Sequence, residues 1–171
     1  MVEVVLGIDL GTQGARVLAV SPAGEVIASA HQPLAPAAGD LPAGWFEQDP
    51  RDWWQAVARS LRQVNAGLPQ GTQIAGICID STSGTVLPVG PQGEPLHNAL
   101  MYNDRRSEGQ VPLVQAAGAE HQAKHGYSFG SSYALPKILW FKEERPEIFA
   151  RTSCFLHAAD FIVGKLSGDF S

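Results

Sequence analysis

The sequence predicts a mixed α/β fold whose sheet opens with an antiparallel meander of three strands and carries helices packed around it. Three observations lead there. Two apolar, β-branched runs within residues 4–20 flank the polar turn Gly11-Thr12-Gln13-Gly14. Ser21-Pro22-Ala23-Gly24 then breaks the chain before a third run, Glu25-Val26-Ile27-Ala28-Ser29-Ala30. Beyond these strands, helical spacing of apolar residues alternates with further short strand-like runs. Strands joined by such tight turns pair antiparallel. A dinucleotide-binding unit would need a helix after its first strand, and none fits here.

The first turn carries the clearest chemistry. Its leading strand brings the carboxylate Asp9, and Arg16 sits just beyond the turn. Gly11 and Gly14 let the backbone bend and let a bulky anion approach main-chain N–H groups. Gln13 sits at the tip, and Thr12 adds a hydroxyl donor. Asp9 would repel a phosphate, so its fitting partner is a magnesium ion, held directly or through water. Arg16 could pair with Asp9 or face a phosphate. The plain alternative is an ordinary hairpin whose Asp and Gly serve only the turn. Other phosphate motifs are absent: there is no Gly-x-x-x-x-Gly-Lys-Ser/Thr, and no Gly-x-Gly-x-x-Gly after a strand.

Composition sets the bounds. The 171 residues can bury a substantial core, and 44% hydrophobic content is ordinary for a globular chain. A net charge of −5, with no Lys/Arg run, argues against a nucleic-acid surface. Cys78 and Cys154 are far apart in apolar runs, which predicts buried free thiols in a reducing compartment. No signal peptide and no run of membrane-spanning length is present, so the expected location is cytoplasmic, with no membrane partner.

Residues 32–44 hold several prolines and glycines and read as an irregular loop. After Trp45-Phe46-Glu47-Gln48, Asp49 is a good N-cap and Pro50 suits the first helical position, with Asp52 three residues past the cap. This helix should run to about Asn65 and stop at Gly67. Trp53, Val57, Leu61 and Val64 share one face, and the paired tryptophans Trp53 and Trp54 read as core anchors. The run Ile74-Ala75-Gly76-Ile77-Cys78-Ile79 suits a strand buried on both faces. It ends in Asp80-Ser81-Thr82-Ser83-Gly84-Thr85, before the apolar Val86-Leu87-Pro88-Val89. Four hydroxyls and a carboxylate in six positions could bind a polyol, or could form a turn that satisfies its own backbone.

Residues 98–102 form a short strand, followed by Asn103-Asp104-Arg105-Arg106-Ser107. Asp104 and Arg105 read as a local ion pair, exposed and of little energetic weight, or as a border of the polyol pocket. A helix over 108–124 would turn Val111, Val114 and Ala117 inward, with Gly118 as its weak point. His121 and His125 are four apart, but no third metal ligand accompanies them, so a solvated helix face is expected. A small-residue loop with aromatics at 126–133 leads to a helix over 134–142, a short helical turn at 147–150, and a strand-to-helix segment over 155–168.

Five segments together resemble one known family. Asp9-x-Gly11-Thr12-x-x-x-Arg16 is similar to the first phosphate motif of the superfamily joining sugar kinases, heat-shock chaperone ATPases and actin. Within it, the chain resembles the FGGY carbohydrate kinases. The glycine-tryptophan segment before Glu47-Gln48-Asp49-Pro50 supports this, as does Tyr102-Asn103-Asp104-Arg105-Arg106, with Tyr102 where the family has tryptophan. Lys137 to Glu147 and Phe155 to Gly168 resemble two later family segments. The resemblance implies a ribonuclease H-like, actin-like ATPase domain over residues 1–171, the N-terminal domain of a longer two-domain enzyme. It implies ATP and Mg2+ as cofactors at Asp9, Gly11, Thr12, Gln13 and Arg16, with Asp9 meeting the metal through water. It places Asp80, Ser81, Thr82 and Ser83 at the sugar, with Trp45 and Asp104 on its border. Glycerol kinases carry Arg-Glu at the sugar loop and xylulokinases Gln-Met-His. This chain has neither and looks more like ribulokinase-type members, including the D-ribulose kinase-like group. The implied reaction is ATP-dependent phosphorylation of a ketopentose, D-ribulose or xylulose. The catalytic aspartate would lie beyond Ser171, leaving this chain inactive alone. A different actin-like ATPase and a non-catalytic binding or dimerisation module are the other readings, and a homodimer stays open.

Overall fold

The computed structural model describes residues 2–34 and 40–170. The stretch 35–39, part of the expected 32–44 loop, lies outside the described residues. Strands β1 (Glu3–Gly11), β2 (Gly14–Val20) and β3 (Val26–Pro33) form the expected meander. Strand β5 (Gln73–Ser81) adds to its free edge, giving the order β3-β2-β1-β5, with β5 parallel to β1. The sheet is therefore mixed.

Period-two alternation sorts β1. Val4, Leu6, Ile8 and Leu10 are buried beneath helix α1 (Pro50–Gly67), while Val5 and Asp9 face the open side. The α1 cap is as the sequence predicts: the Asp49 carboxylate accepts the Arg51 N–H at 2.8 Å, with Pro50 at the first turn. Trp53, Val57 and Val64 are fully buried against the sheet, each contributing about 1.5–3 kcal/mol through burial. The helix continues through Gly67, which is its last residue rather than its stop.

The remaining elements wrap the carboxyl ends of β1 and β5. Strand β6 (Leu87–Val89) pairs antiparallel with β8 (Cys154–Leu156), so residues 80–86 do not close a hairpin onto β5. Strand β4 (Glu47–Gln48) pairs with β7 (Ala99–Leu100). Helices α4 (Ala134–Glu144), α5 (Pro146–Arg151) and α6 (Ala158–Ser167) follow, the last ending at Gly168 in the left-handed region that favours glycine.

Four expectations are corrected. The 108–124 segment is not one helix. A 3-10 turn (Glu108–Gln110) leads to α2 (Val111–Ala117) and α3 (Ala119–His125), broken at Gly118 where any Cβ would meet the Phe129 ring at 2.6 Å. Val111, Val114 and Ala117 are not core, because α2 lies on the flank with no buried residue. Strand β5 is not buried on both faces. It is the sheet edge, and Ile74 and Ile77 are 41% and 48% exposed. Cys78, on that strand, is exposed rather than buried, and Cys154 is half-buried; both are free thiols. Among the described residues, no helix is long and apolar enough to cross a membrane.

Candidate active site

Parallel strands β1 and β5 end side by side, and the loops leaving their carboxyl ends build the site. A crevice outside such strand ends is where open α/β sheets bind ligands. The β1–β2 turn is tight, with Gly11 paired to Gly14 and Asp9 opposite Arg16. Its carbonyls are tied down from behind. Gln48 donates to the Thr12 carbonyl at 2.7 Å, and the Leu34 N–H donates to that of Gln13 at 2.9 Å. Gln48 is oriented in turn by the Trp53 indole N–H, 2.8 Å from its side-chain oxygen. The buried tryptophan of α1 thus holds the turn in register.

With the carbonyls held, the donors are left over. Among the described residues nothing bonds to the Thr12 and Gln13 N–H groups, the Thr12 hydroxyl, the Asp9 carboxylate or the Arg16 guanidinium. Asp9 and Arg16 do not form the pair the sequence left open. These residues line a cavity of about 240 Å³ with Gly11, Gly14 and His31. Gly14 is required by packing rather than by bending. A Cβ there would overlap the His31 ring and lie 2.7 Å from the Gln32 carbonyl on β3.

The residue run 80–83 is divided between two places. Asp80 is the β5 partner of Asp9, and both carboxylates line a second cavity of about 250 Å³ with Arg16, Leu18 and Cys78. Asp80 also accepts the Ser81 N–H at 2.8 Å. Ser81 faces the other way: its hydroxyl accepts the Ala159 N–H at 3.0 Å and pins the start of α6. Thr82 is half-buried in the turn between them. Ser83 opens onto a third cavity of about 460 Å³, lined also by Gly84, Tyr102, Ser132, Tyr133 and His157. Tyr133 and His157 carried no signal that sequence periodicity could read, since each reaches this cavity from a separate loop.

Asp104 and Trp45 lie behind that surface. Asp104 is fully buried and accepts the Phe46 N–H at 2.6 Å and the Arg106 guanidinium at 2.8 Å. The pairing partner is Arg106, not Arg105, and the pair is buried rather than exposed. Arg105 instead meets Glu108 at 3.7 Å in solvent. The reason is geometric. The turn after β7 points Arg106 inward, where Glu47 accepts a second bond at 2.7 Å and Trp45 stacks 3.8 Å from the guanidinium carbon. Lys137 is also fully buried, donates to the Ser131 carbonyl at 2.6 Å and feels the Asp104 charge. Burial pulls its pKa from 10.5 down to about 8, against the upward pull of Asp104. Arg106 thus bonds both Asp104 and Glu47, while Lys137 adds a second buried cation that feels the Asp104 charge.

The donor set fits a nucleotide phosphate with a divalent cation. Magnesium characteristically takes one or two carboxylates and fills its shell with water and phosphate oxygens. Asp9, with Asp80 beside it, meets that need, and no cluster of three protein ligands exists among the described residues.

The chain is 30% identical to the xylulose kinase of Escherichia coli over 167 residues, covering 97% of this chain and 34% of that protein. It is 31% identical to the xylulose kinase of Bacillus subtilis, covering 96% and 33%. The structure of a xyloylose kinase from Brucella ovis superposes with a TM-score of 0.83 at 26% identity, over 93% of this chain and 33% of that one. The chain therefore spans about a third of the length of the relatives it matches. The model of the FGGY family of carbohydrate kinases, N-terminal domain, matches residues 4–171, and the chain belongs to that family.

Proposed function

We propose that this chain is the first domain of a longer, cytoplasmic carbohydrate kinase that transfers the γ-phosphate of ATP to a ketopentose such as D-xylulose or D-ribulose. The observation that carries the reading is the set of unpartnered groups at the β1–β2 turn, beside the ends of β1 and β5. The Thr12 and Gln13 N–H groups and the Thr12 hydroxyl bind phosphate oxygens, and Arg16 supplies positive charge. Asp9 orients a magnesium ion through water, with Asp80 as its neighbour. Magnesium, when bound, neutralises the phosphates and so lowers the cost of in-line displacement. The sugar occupies the cavity at Ser83, Tyr102, Ser132 and His157, where hydroxyls and an aromatic face suit a polyol. Ser81 and Asp104 act there as positioning residues, holding α6 and the Tyr102 corner, and Trp45 supports Arg106.

On this reading the base that deprotonates the acceptor hydroxyl comes from the second domain of the longer enzyme, since among the described residues no carboxylate lines the cavity. The test is ADP release by the full-length protein with ATP, magnesium and a panel of ketopentoses, alditols and glycerol. Preference for a ketopentose is expected, and Asp9→Ala should reduce turnover by at least about a hundredfold, as for loss of a group that acts on the transferring phosphate. Absence of turnover with every polyol overturns the kinase reading. Enzyme-like turnover by the 171-residue chain alone overturns the assignment of the base to another domain.

A further inference from the structure

We infer that His31 is a further phosphate-binding residue, its ring N–H reaching the transferring γ-phosphate from β3, on the side of the turn away from Asp9. The inference rests on the reading of the β1–β2 turn as the phosphate site.

The strand register puts His31 there. Asp80 on β5 is the partner of Asp9 on β1, Asp9 is the partner of Arg16 on β2, and Arg16 is the partner of His31 on β3. Residues directly opposite one another in a ladder project from the same face of the sheet. These four side chains therefore form one row across all four strands, on the face opposite α1. The neighbours of His31 agree with that side: Ala30 is buried in the core, and the Gln32 amide reaches Gln63 of α1 at 3.3 Å. The row changes sign along its length, from two carboxylates to a guanidinium and an imidazole. A magnesium–phosphate ligand has the same polarity, its metal suited to carboxylates and its oxygens to N–H donors.

The ring is turned towards the β1–β2 turn. From its place opposite Arg16 it leans along the sheet to Gly14, where a Cβ would run into His31 Nε2 and Cδ2. Glycine at that position seats the ring on the rim of the 240 Å³ cavity, with Thr12, Gln13 and Arg16. Among the described residues nothing bonds to the ring. A histidine ring carries at least one N–H whether neutral or charged, so it can donate in either state. Asp9 is the one carboxylate among the lining residues, and it lies two strands from His31, about 10 Å at ordinary strand spacing. The imidazole is thus left over for an anion, which would be held by the turn N–H groups from one side and by Arg16 and His31 from the other.

The test is equilibrium binding of the magnesium complex of β,γ-imido-ATP, a non-transferring ATP analogue, to the full-length protein by titration calorimetry. His31→Ala should weaken binding roughly tenfold, the scale of one hydrogen bond to a charged group. Magnesium–ADP binding and the KM for a ketopentose should be unchanged. His31 is exposed, so the melting temperature should not move either. Affinity should follow the charge at this position: His31→Arg close to wild type, His31→Gln between wild type and alanine, and His31→Glu below alanine. A merely structural role would not produce that order. Equal affinity in wild type and H31A overturns the inference, as does an equal loss for ADP, or H31E binding as tightly as H31R. In each of these cases a loss of binding in Asp9→Ala leaves the phosphate site standing. If neither Asp9→Ala nor His31→Ala changes nucleotide binding, the phosphate reading of the turn falls and the inference falls with it.

Discussion

Lys137 offers the sharpest physical test of the buried frame. A lysine with no exposed surface is rare, and the folded protein holds its pKa near 8 against 10.5 in the unfolded chain. Below about pH 8 both states keep the proton, and the folded state bears a constant penalty for burying it. Between about 8 and 10.5 the unfolded chain keeps the proton while the folded one has released it, so stability rises with pH. Above 10.5 the gain is complete. At about 1.4 kcal/mol for each pH unit between the two values, the full rise is about 3 kcal/mol.

The perturbation is Lys137→Met, which fits the same volume without a titrating group. Near neutral pH the variant escapes the burial penalty but leaves the Ser131 carbonyl without its donor and Asp104 with Arg106 as its remaining countercharge. These effects oppose each other, each about 1–3 kcal/mol, so the neutral-pH difference is small. The pH dependence is the discriminating quantity. Urea unfolding of both proteins from neutral pH to about 10.5 should show the wild type gaining about 3 kcal/mol over the variant across the interval. Parallel stability curves would refute the reasoning, and a wild-type advantage that shrinks with rising pH would reverse its sign.

Two further substitutions probe the same wall. Gly84 sits at φ +75°, and a Cβ there would run into the Ser132 carbonyl. Gly84→Ala should cost about 1–3 kcal/mol by calorimetry and displace the 130–133 loop, weakening ketopentose binding. Gly130→Ala, with open space at its Cβ, should change neither. Arg106→Met would remove the guanidinium that both Asp104 and Glu47 bond in the interior, at a cost of about 3–5 kcal/mol. Adding Asp104→Asn should return part of that loss in a double-mutant cycle, and strict additivity would argue against the pairing.

The parts of the fold that were legible in the sequence are those fixed by neighbours along the chain. The apolar, β-branched runs over residues 4–20 set β1 and β2, and Asp49-Pro50 set the start of α1. The β1–β2 turn was legible for the same reason, since Asp9, Thr12 and Arg16 lie within one hairpin. The cavity at Ser83 was not, because no local pattern announces that β6 will pair with β8 and bring His157 beside Ser83. Helical periodicity likewise cannot distinguish Lys137, buried and bonded to a carbonyl, from the solvated Lys142 on the same helix. Arg105 and Arg106 are adjacent in sequence, and only the turn geometry decides which one reaches Asp104.

Strand β5 shows a different limit. Its apolar run reads as doubly buried, yet α6 touches only part of it, and the face with Val5 and Cys78 stays open. The pattern of a sequence reports the environment it is suited to, and here that demand for cover exceeds what the described residues supply. The same open face carries Asp9, Arg16 and Asp80 at one end. Charge at the strand ends and uncovered apolar surface along the strands are what a catalytic cleft with a second wall requires, because excluding water strengthens every interaction the phosphate turn makes. The incomplete burial of β5 and the unpartnered groups of the β1–β2 turn thus have one physical explanation under the proposed two-domain enzyme.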